Sequence, residues 1–179
     1  MMIYLLLIAA VGITSSQGTC PDLEVVQNFN VTAYLGRWYE HAKYPTLQEE
    51  GGRCVLTDYS IKDGAIRLRN EMIFLDLFPV HLDGTLNFTS TNGEAKLMVT
   101  PDILKIRHVP YWVLSTDYTS YSVMWYCREI LGFTSGKPWI LTRERNPPNS
   151  VLEIAYQVLK DNNISLEKLE KTDQANCTN

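Results

Sequence analysis

Hydrophobic and polar positions alternate in short runs from about Gly36 to Arg145, and turn-forming residues break the runs at near-regular intervals. Residues 37–44 open the series. Residues 53–61 end at Lys62-Asp63-Gly64, and 65–74 follow that turn. Residues 81–89 precede Thr91-Asn92-Gly93, and 94–100 stop at Pro101. Residues 111–116, 121–127 and 138–143 bring the count to about eight. A period of two, rich in aromatic and β-branched residues and punctuated by Gly, Asn, Asp and Pro, predicts antiparallel strands closing into a barrel or sandwich. One segment has a different period. After Pro147-Pro148, Asn149 or Ser150 reads as an N-cap. Behind it Val151, Leu152, Ile154, Ala155, Val158 and Leu159 recur at helical spacing until Asp161-Asn162-Asn163. The stripe is one-sided, so this helix is expected against the outside of the sheet.

Composition sharpens this picture at the N-terminus. The first 18 of the 179 residues contain no Asp, Glu, Lys or Arg. An apolar run over 1–11 is followed by small and polar residues ending at Ser16-Gln17-Gly18, the build of a secretory signal peptide. That run is too short for a bilayer core of about 30 Å, which needs ~20 residues. The expected mature chain is a single domain, 19–179, large enough to bury a sizeable core. The formal charge of −4 without basic clusters argues against nucleic-acid binding. No second apolar stretch has membrane length, and the tail 173–179 is too polar for a lipid-anchor signal. A secreted, extracellular protein is expected.

Cys20, Cys54, Cys127 and Cys177 all lie in the mature part. An even number in a secreted chain, without a short C-x-x-C pair, favours two disulfides over metal ligands or reactive thiols, and three pairings are open. Sequons at Asn30, Asn87 and Asn163 are candidate glycosylation sites. A fourth, at Asn176, is the poorest because its middle residue is Cys177.

Three motifs carry a family signal. Tyr34-Leu35-Gly36-Arg37-Trp38 sits where the first strand begins, Thr116-Asp117-Tyr118 lies between two late strands, and Trp139-Ile140-Leu141-Thr142-Arg143 ends the last strand before the helix. In this order and at these distances the chain resembles the lipocalins, specifically the apolipoprotein D branch with its Lazarillo and bilin-binding relatives. Further agreement comes from Cys20-Pro21, Gly51-Gly52-Arg53-Cys54, Pro110-Tyr111-Trp112 and the ending Thr172-Asp173-Gln174-Ala175-Asn176-Cys177. The resemblance implies an all-β, eight-stranded antiparallel up-and-down barrel, closed at one end and holding a small apolar molecule, with the C-terminal α-helix packed outside. It also implies the pairings Cys20–Cys127 and Cys54–Cys177. Gly36, Trp38 and Arg143 would form the barrel floor, with the guanidinium across the indole, a contact worth ~1–2 kcal/mol.

Strand parity then assigns inward positions. With Arg143 at the floor, Leu141 and Trp139 share its face. Cys54 and Cys127 must point out to reach the terminal segments, which turns Val55, Thr57 and Tyr59 inward on one strand and Ser122, Met124 and Tyr126 inward on another. Trp38 places Glu40 and Ala42 inward as well, and an inward Glu40 requires a polar partner. The expected ligand-binding set is therefore Tyr59, Trp139, Met124, Tyr126, Thr57, Leu141 and Val55. The expected ligand is a fatty acid, sterol, retinoid or bilin. An eight-stranded barrel can instead fill with its own side chains. The apolar stretch 72–80 would lie at the mouth as wall or as a lip touching a membrane or lipoprotein surface.

No enzyme is expected. His41, His81 and His108 are scattered, Asp117 and Glu144 show no nucleophile–base arrangement, and the cysteines fit disulfides. No metal or cofactor is called for. The alternative is an antioxidant protein whose Met72, Met98 or Met124 reduces lipid hydroperoxides and becomes a sulfoxide.

Overall fold

The computed structural model describes residues 19–47, 49–103 and 108–178, so the proposed signal peptide lies outside the described residues. The elements run α1 (Val31–Tyr34), β1 (Gly36–Lys43), β2 (Gly52–Lys62), β3 (Ala65–Phe74), β4 (Phe78–Phe88), β5 (Lys96–Pro101), β6 (Val109–Thr116), β7 (Tyr121–Ile130), β8 (Phe133–Thr142), α2 (Asn149–Asp161) and β9 (Glu170–Lys171). Neighbouring strands pair antiparallel from β2 through β8 to β1, and a β2–β1 pairing closes the barrel. The expected all-β barrel with an outer helix is therefore present. The one-turn α1 and the two-residue β9 are additions that no periodicity signalled.

Local chemistry sets the turns. Asp63 and Gly64 have φ of 53° and 76°, the left-handed pair that a two-residue hairpin needs. The β7–β8 hairpin repeats this with Leu131 and Gly132 at 52° and 80°. Leu131 is not a turn former, and for this reason the sequence pattern ends β7 too early and starts β8 five residues late. Pro138 is tolerated inside β8 because its backbone faces the β1 side, where pairing ends at Lys43↔Trp139 and the Pro138 carbonyl accepts from Tyr44 N at 3.3 Å.

Helix α2 packs against β7 and β6, burying Ala155 and Leu159. Its N-cap is Pro148, which offers no side-chain cap, rather than Asn149 or Ser150. Ile154 is half exposed, so it lies off the packed stripe. Both disulfides implied by the resemblance are formed, Cys20–Cys127 and Cys54–Cys177, with Cα separations of 5.8 and 5.6 Å. Each ties a terminal segment to the wall. The C-terminal segment lies where β1 and β2 diverge: Thr172 N donates to His41 O, Cys54 N donates to Asp173 O, and Gln174 Nε2 bridges Glu40 O and Val55 O.

Candidate ligand site

Chain direction gives the barrel two unlike ends. The β2–β3, β4–β5 and β6–β7 connectors share the end where β1 begins and β8 finishes, and there the floor is built. Arg143 lies with its guanidinium carbon 3.8 Å from the centroid of the Trp38 ring, and Trp38 is fully buried. Arg143 donates to the carbonyls of Tyr118, Arg37, Ala33 and Tyr34, while Trp38 Nε1 donates to Tyr34 O at 2.9 Å. Gly36 has φ of +92°, and an added Cβ would stand 3.4 Å from an Arg143 nitrogen, so the first strand needs glycine to enter beneath the guanidinium. Asp117 closes the β6–β7 turn by accepting from the N–H groups of Thr119, Ser120 and Tyr121. Burial pushes its carboxyl up, but the Ser120 side-chain and backbone bonds outweigh that and leave it below the usual range. The structure thus brings Gly36, Trp38 and Arg143 together at this end of the barrel.

Above the floor, cross-strand register places the expected wall residues. Trp38 pairs Thr57 and Gly36 pairs Tyr59. Ser122 pairs Leu141, Met124 pairs Trp139 and Val113 pairs Met124, so these side chains share the interior face. Tyr126 and Trp139 meet edge to face with centroids 6.5 Å apart. Val55 is buried within a bulge between Arg53 and Leu56, where Cys54 takes φ of 55°. Tyr59 and Trp139 do not stand together. Tyr59 lies low, its hydroxyl 2.7 Å from that of Tyr111, which is 2.9 Å from Tyr34, and Tyr34 reaches Ser122 Oγ at 2.9 Å. Burial raises all three phenol pKa values. Tyr34 and Tyr111 sit inside the motifs that carry the resemblance, yet only α1 shows that Tyr34 rises into the barrel.

The assignment of Ala42 to the interior is corrected by a bulge at His41. Glu40 pairs Leu141, but Ala42 pairs Ile140 and Lys43 pairs Trp139. The extra residue flips the parity, so Lys43 and not Ala42 faces inward. Glu40 finds its polar partners in Lys43 and Thr172 Oγ1. Lys43 also contacts Glu49 at 3.1 Å. One cation serves two carboxylates. Burial, then repulsion from Glu49, raises the Glu40 carboxyl to about 7 against the opposing pull of Lys43 and Thr172. Burial alone would lower Lys43, but the two carboxylates reverse that and hold it charged.

At the other end the connectors carry exposed apolar side chains. Leu75, Leu77 and Phe78 are exposed on the β3–β4 hairpin within the 72–80 stretch, whereas Phe74 is half-buried. Leu47, Ile103 and Leu131 are exposed on the other three mouth connectors and Phe133 at the start of β8, beyond what the sequence pattern indicated. A cleft of about 500 Å³ opens at this rim, lined in part by Lys43, Thr46, Glu49, Lys137 and Thr172. The sequon residues Asn30, Asn87 and Asn163 are exposed, and Asn30 caps α1 through its side-chain oxygen. Among the described residues no group of three or more His, Cys, Asp or Glu could hold a metal ion.

The profile of the "Lipocalin / cytosolic fatty-acid binding protein family" matches residues 35–176. Apolipoprotein D of Cavia porcellus is 37% identical over 162 residues, covering 89% of this chain and 85% of that protein. The Lazarillo protein of Schistocerca americana is 36% identical over 162 residues, covering 87% and 75%. The crystal structure of insecticyanin from Manduca sexta superposes with a TM-score of 0.79 at 24% identity, over 89% of this chain and 88% of that one, a likeness of fold.

Proposed function

The chain belongs to the lipocalin family, and from that premise we propose that it is a secreted, non-enzymatic carrier that holds a small hydrophobic ligand inside the barrel. The observation that carries this reading is the Tyr126–Trp139 pair, two amphipathic rings turned to the interior between the Trp38–Arg143 floor and the apolar rim connectors. Met124, Leu141, Val55 and Thr57 extend the wall, and Tyr59 with Tyr111 supplies polar groups at depth. Burying ~300–400 Å² of ligand at ~25 cal/mol/Å² gives ~8–10 kcal/mol, and ordering costs of several kcal/mol leave affinity near micromolar. A carrier must also release its cargo, and that range permits it.

Fatty acid, sterol, retinoid and bilin are the ligand classes to test. Residues 19–179 are produced with disulfides intact, stripped of lipid by organic exchange and titrated with one member of each class while indole fluorescence is followed. Saturable binding of at least one class, weakened tenfold or more in Trp139→Ala, is expected. Absence of saturable binding in all four classes removes the proposal. The antioxidant reading draws less support, because Met124 is buried and Met72 and Met98 are half-buried in strands.

The exposed side chains on the mouth connectors, led by the 72–80 hairpin, suit transient contact with a membrane or lipoprotein surface during loading.

A further inference from the structure

The β1 bulge has a chemical consequence at the mouth. It turns Lys43 into the barrel directly beside Trp139, its cross-strand partner. Behind Lys43 stands buried Glu40, itself bonded to Thr172, which fixes the ammonium from the interior side. In front stands Glu49, whose carboxylate lies 3.1 Å from Lys43 Nζ and accepts a hydrogen bond from Thr46 Oγ1 at 3.1 Å. An ammonium and a hydroxyl thus converge on one carboxylate group. That carboxylate belongs to a connector side chain on the wall of the 500 Å³ cleft, and a second ammonium, Lys137, donates to Pro45 O within the same cleft.

We infer that Lys43 and Thr46 form a binding site for the acid group of an amphiphilic ligand, a site filled here by the chain's own Glu49. Resting on the carrier reading above, this assigns the ligand a polarity. The carboxylate replaces Glu49 at the rim, Glu49 turns out to water, and the apolar body lies along Trp139 and Tyr126 toward the tyrosines. The exchange is nearly neutral in ion pairing, since one carboxylate replaces another on the same cation. Burial of the apolar body, about 0.8 kcal/mol per CH₂, then decides the outcome. Neutral ligands of the same shape gain that burial but leave Glu49 in place, and they reach the interior past an occupied rim. Two of the ligand classes above always carry such a carboxylate, long-chain fatty acids and, through their propionates, linear tetrapyrroles.

The test compares palmitate with methyl palmitate, and biliverdin with its dimethyl ester, by fluorescence titration of the full mature chain. The wild-type protein is expected to prefer acid over ester only about two- to threefold, since the acid must displace Glu49 while the ester enters past it, and the pair showing the preference identifies the source. Glu49→Gln removes the internal competitor without unpairing Glu40, so the acid-to-ester ratio is expected to rise a further three- to tenfold. Lys43→Gln is expected to bring the ratio to about one. Because it also strips buried Glu40 of its partner, its folding is checked by circular dichroism, and Glu49→Gln carries the test alone if it fails. Equal binding of acid and ester, with no response to Glu49→Gln, overturns the site while leaving the carrier reading intact. Binding of neither acid nor ester overturns the carrier reading itself.

Discussion

The two ends of the barrel spend polar groups in opposite ways. At the floor Arg143 donates to four backbone carbonyls and covers Trp38, and the Asp117 carboxylate accepts from three backbone N–H groups. Its connectors are polar: Asp63-Gly64, Thr89 to Gly93, and Asp117 to Ser120. At the mouth one lysine is divided between two carboxylates, and each of the four connectors exposes a large apolar side chain. Side chains that satisfy backbone cannot be exchanged for a ligand without breaking the fold. Side chains that satisfy one another can be. The floor is therefore a structural seal, and the mouth is the end able to trade partners.

The comparison breaks first if the floor proves dispensable. Trp38→Ala is expected to cost about 3–5 kcal/mol in urea unfolding, because it removes a fully buried indole and leaves a guanidinium over a cavity. Trp139→Ala, at half-buried mid-wall, should cost less than half as much while weakening ligand binding. Equal losses in the two variants would erase the distinction between seal and site. Next in size is the bridge between the C-terminal segment and β2. Removing Cys54–Cys177 by a double Ser substitution frees a loop of 123 residues in sequence separation and is expected to cost roughly 2–4 kcal/mol. Differential scanning calorimetry should show a Tm lowered by about 5–15 °C, on the order of 2–4 °C per kcal/mol for a domain of this size.

Glu40 sharpens the contrast from the mouth side. Its carboxyl titrates near 7 in the folded protein and near 4.5 when unfolded. Between those values the folded state keeps a proton that the unfolded chain has released, so the stability from this group is complete below pH 4.5 and disappears as pH rises through 7. Glu40→Gln should remove that slope. Depressed His41 titrates with the opposite sign in part of the window, so the quantity to measure is wild type minus variant between pH 5 and 8. A change on the order of 2 kcal/mol is expected. Parallel profiles would mean that Lys43 compensates Glu40 fully.

Much of this was legible from residue patterns, and the failures have physical causes. Strand runs and the outer helix follow from hydrophobic period and turn residues, whereas the floor and the disulfide pairing followed from the family resemblance. Parity failed at Ala42 because a bulge adds one residue without any mark in composition, and that single residue exchanges a methyl for the ammonium of Lys43. The β7–β8 hairpin was misplaced because Leu131 adopts a left-handed conformation normally left to Gly or Asn. Strand β9 was invisible because two residues carry no period. Glu40's need for a partner could be stated, but which side chain meets it depends on the C-terminal segment returning between β1 and β2.

The smallest expected effect on stability comes from the rim. Phe78 is 57% exposed and Phe74 is half-buried at the top of the β3–β4 hairpin. Replacing Phe78 by Ser should change unfolding free energy by no more than about 0.5 kcal/mol, because little contact is lost on the solvent side. The double change Phe74→Ser and Phe78→Ser should cost about 1 kcal/mol more, since Phe74 loses partial burial. Function should respond in the reverse order of magnitude. Cosedimentation with phosphatidylcholine vesicles and the rate of fatty-acid uptake from them are both expected to fall several-fold in the double variant, with equilibrium affinity for free ligand little changed. A floor substitution such as Gly36→Ala, strained at φ +92°, should do the opposite, lowering stability by about 1 kcal/mol or more while leaving vesicle contact as it was. If vesicle binding and uptake are unmoved by the loss of both rings, the exposed rim is only the unburied edge of a wall, and the mouth trades partners with its ligand alone.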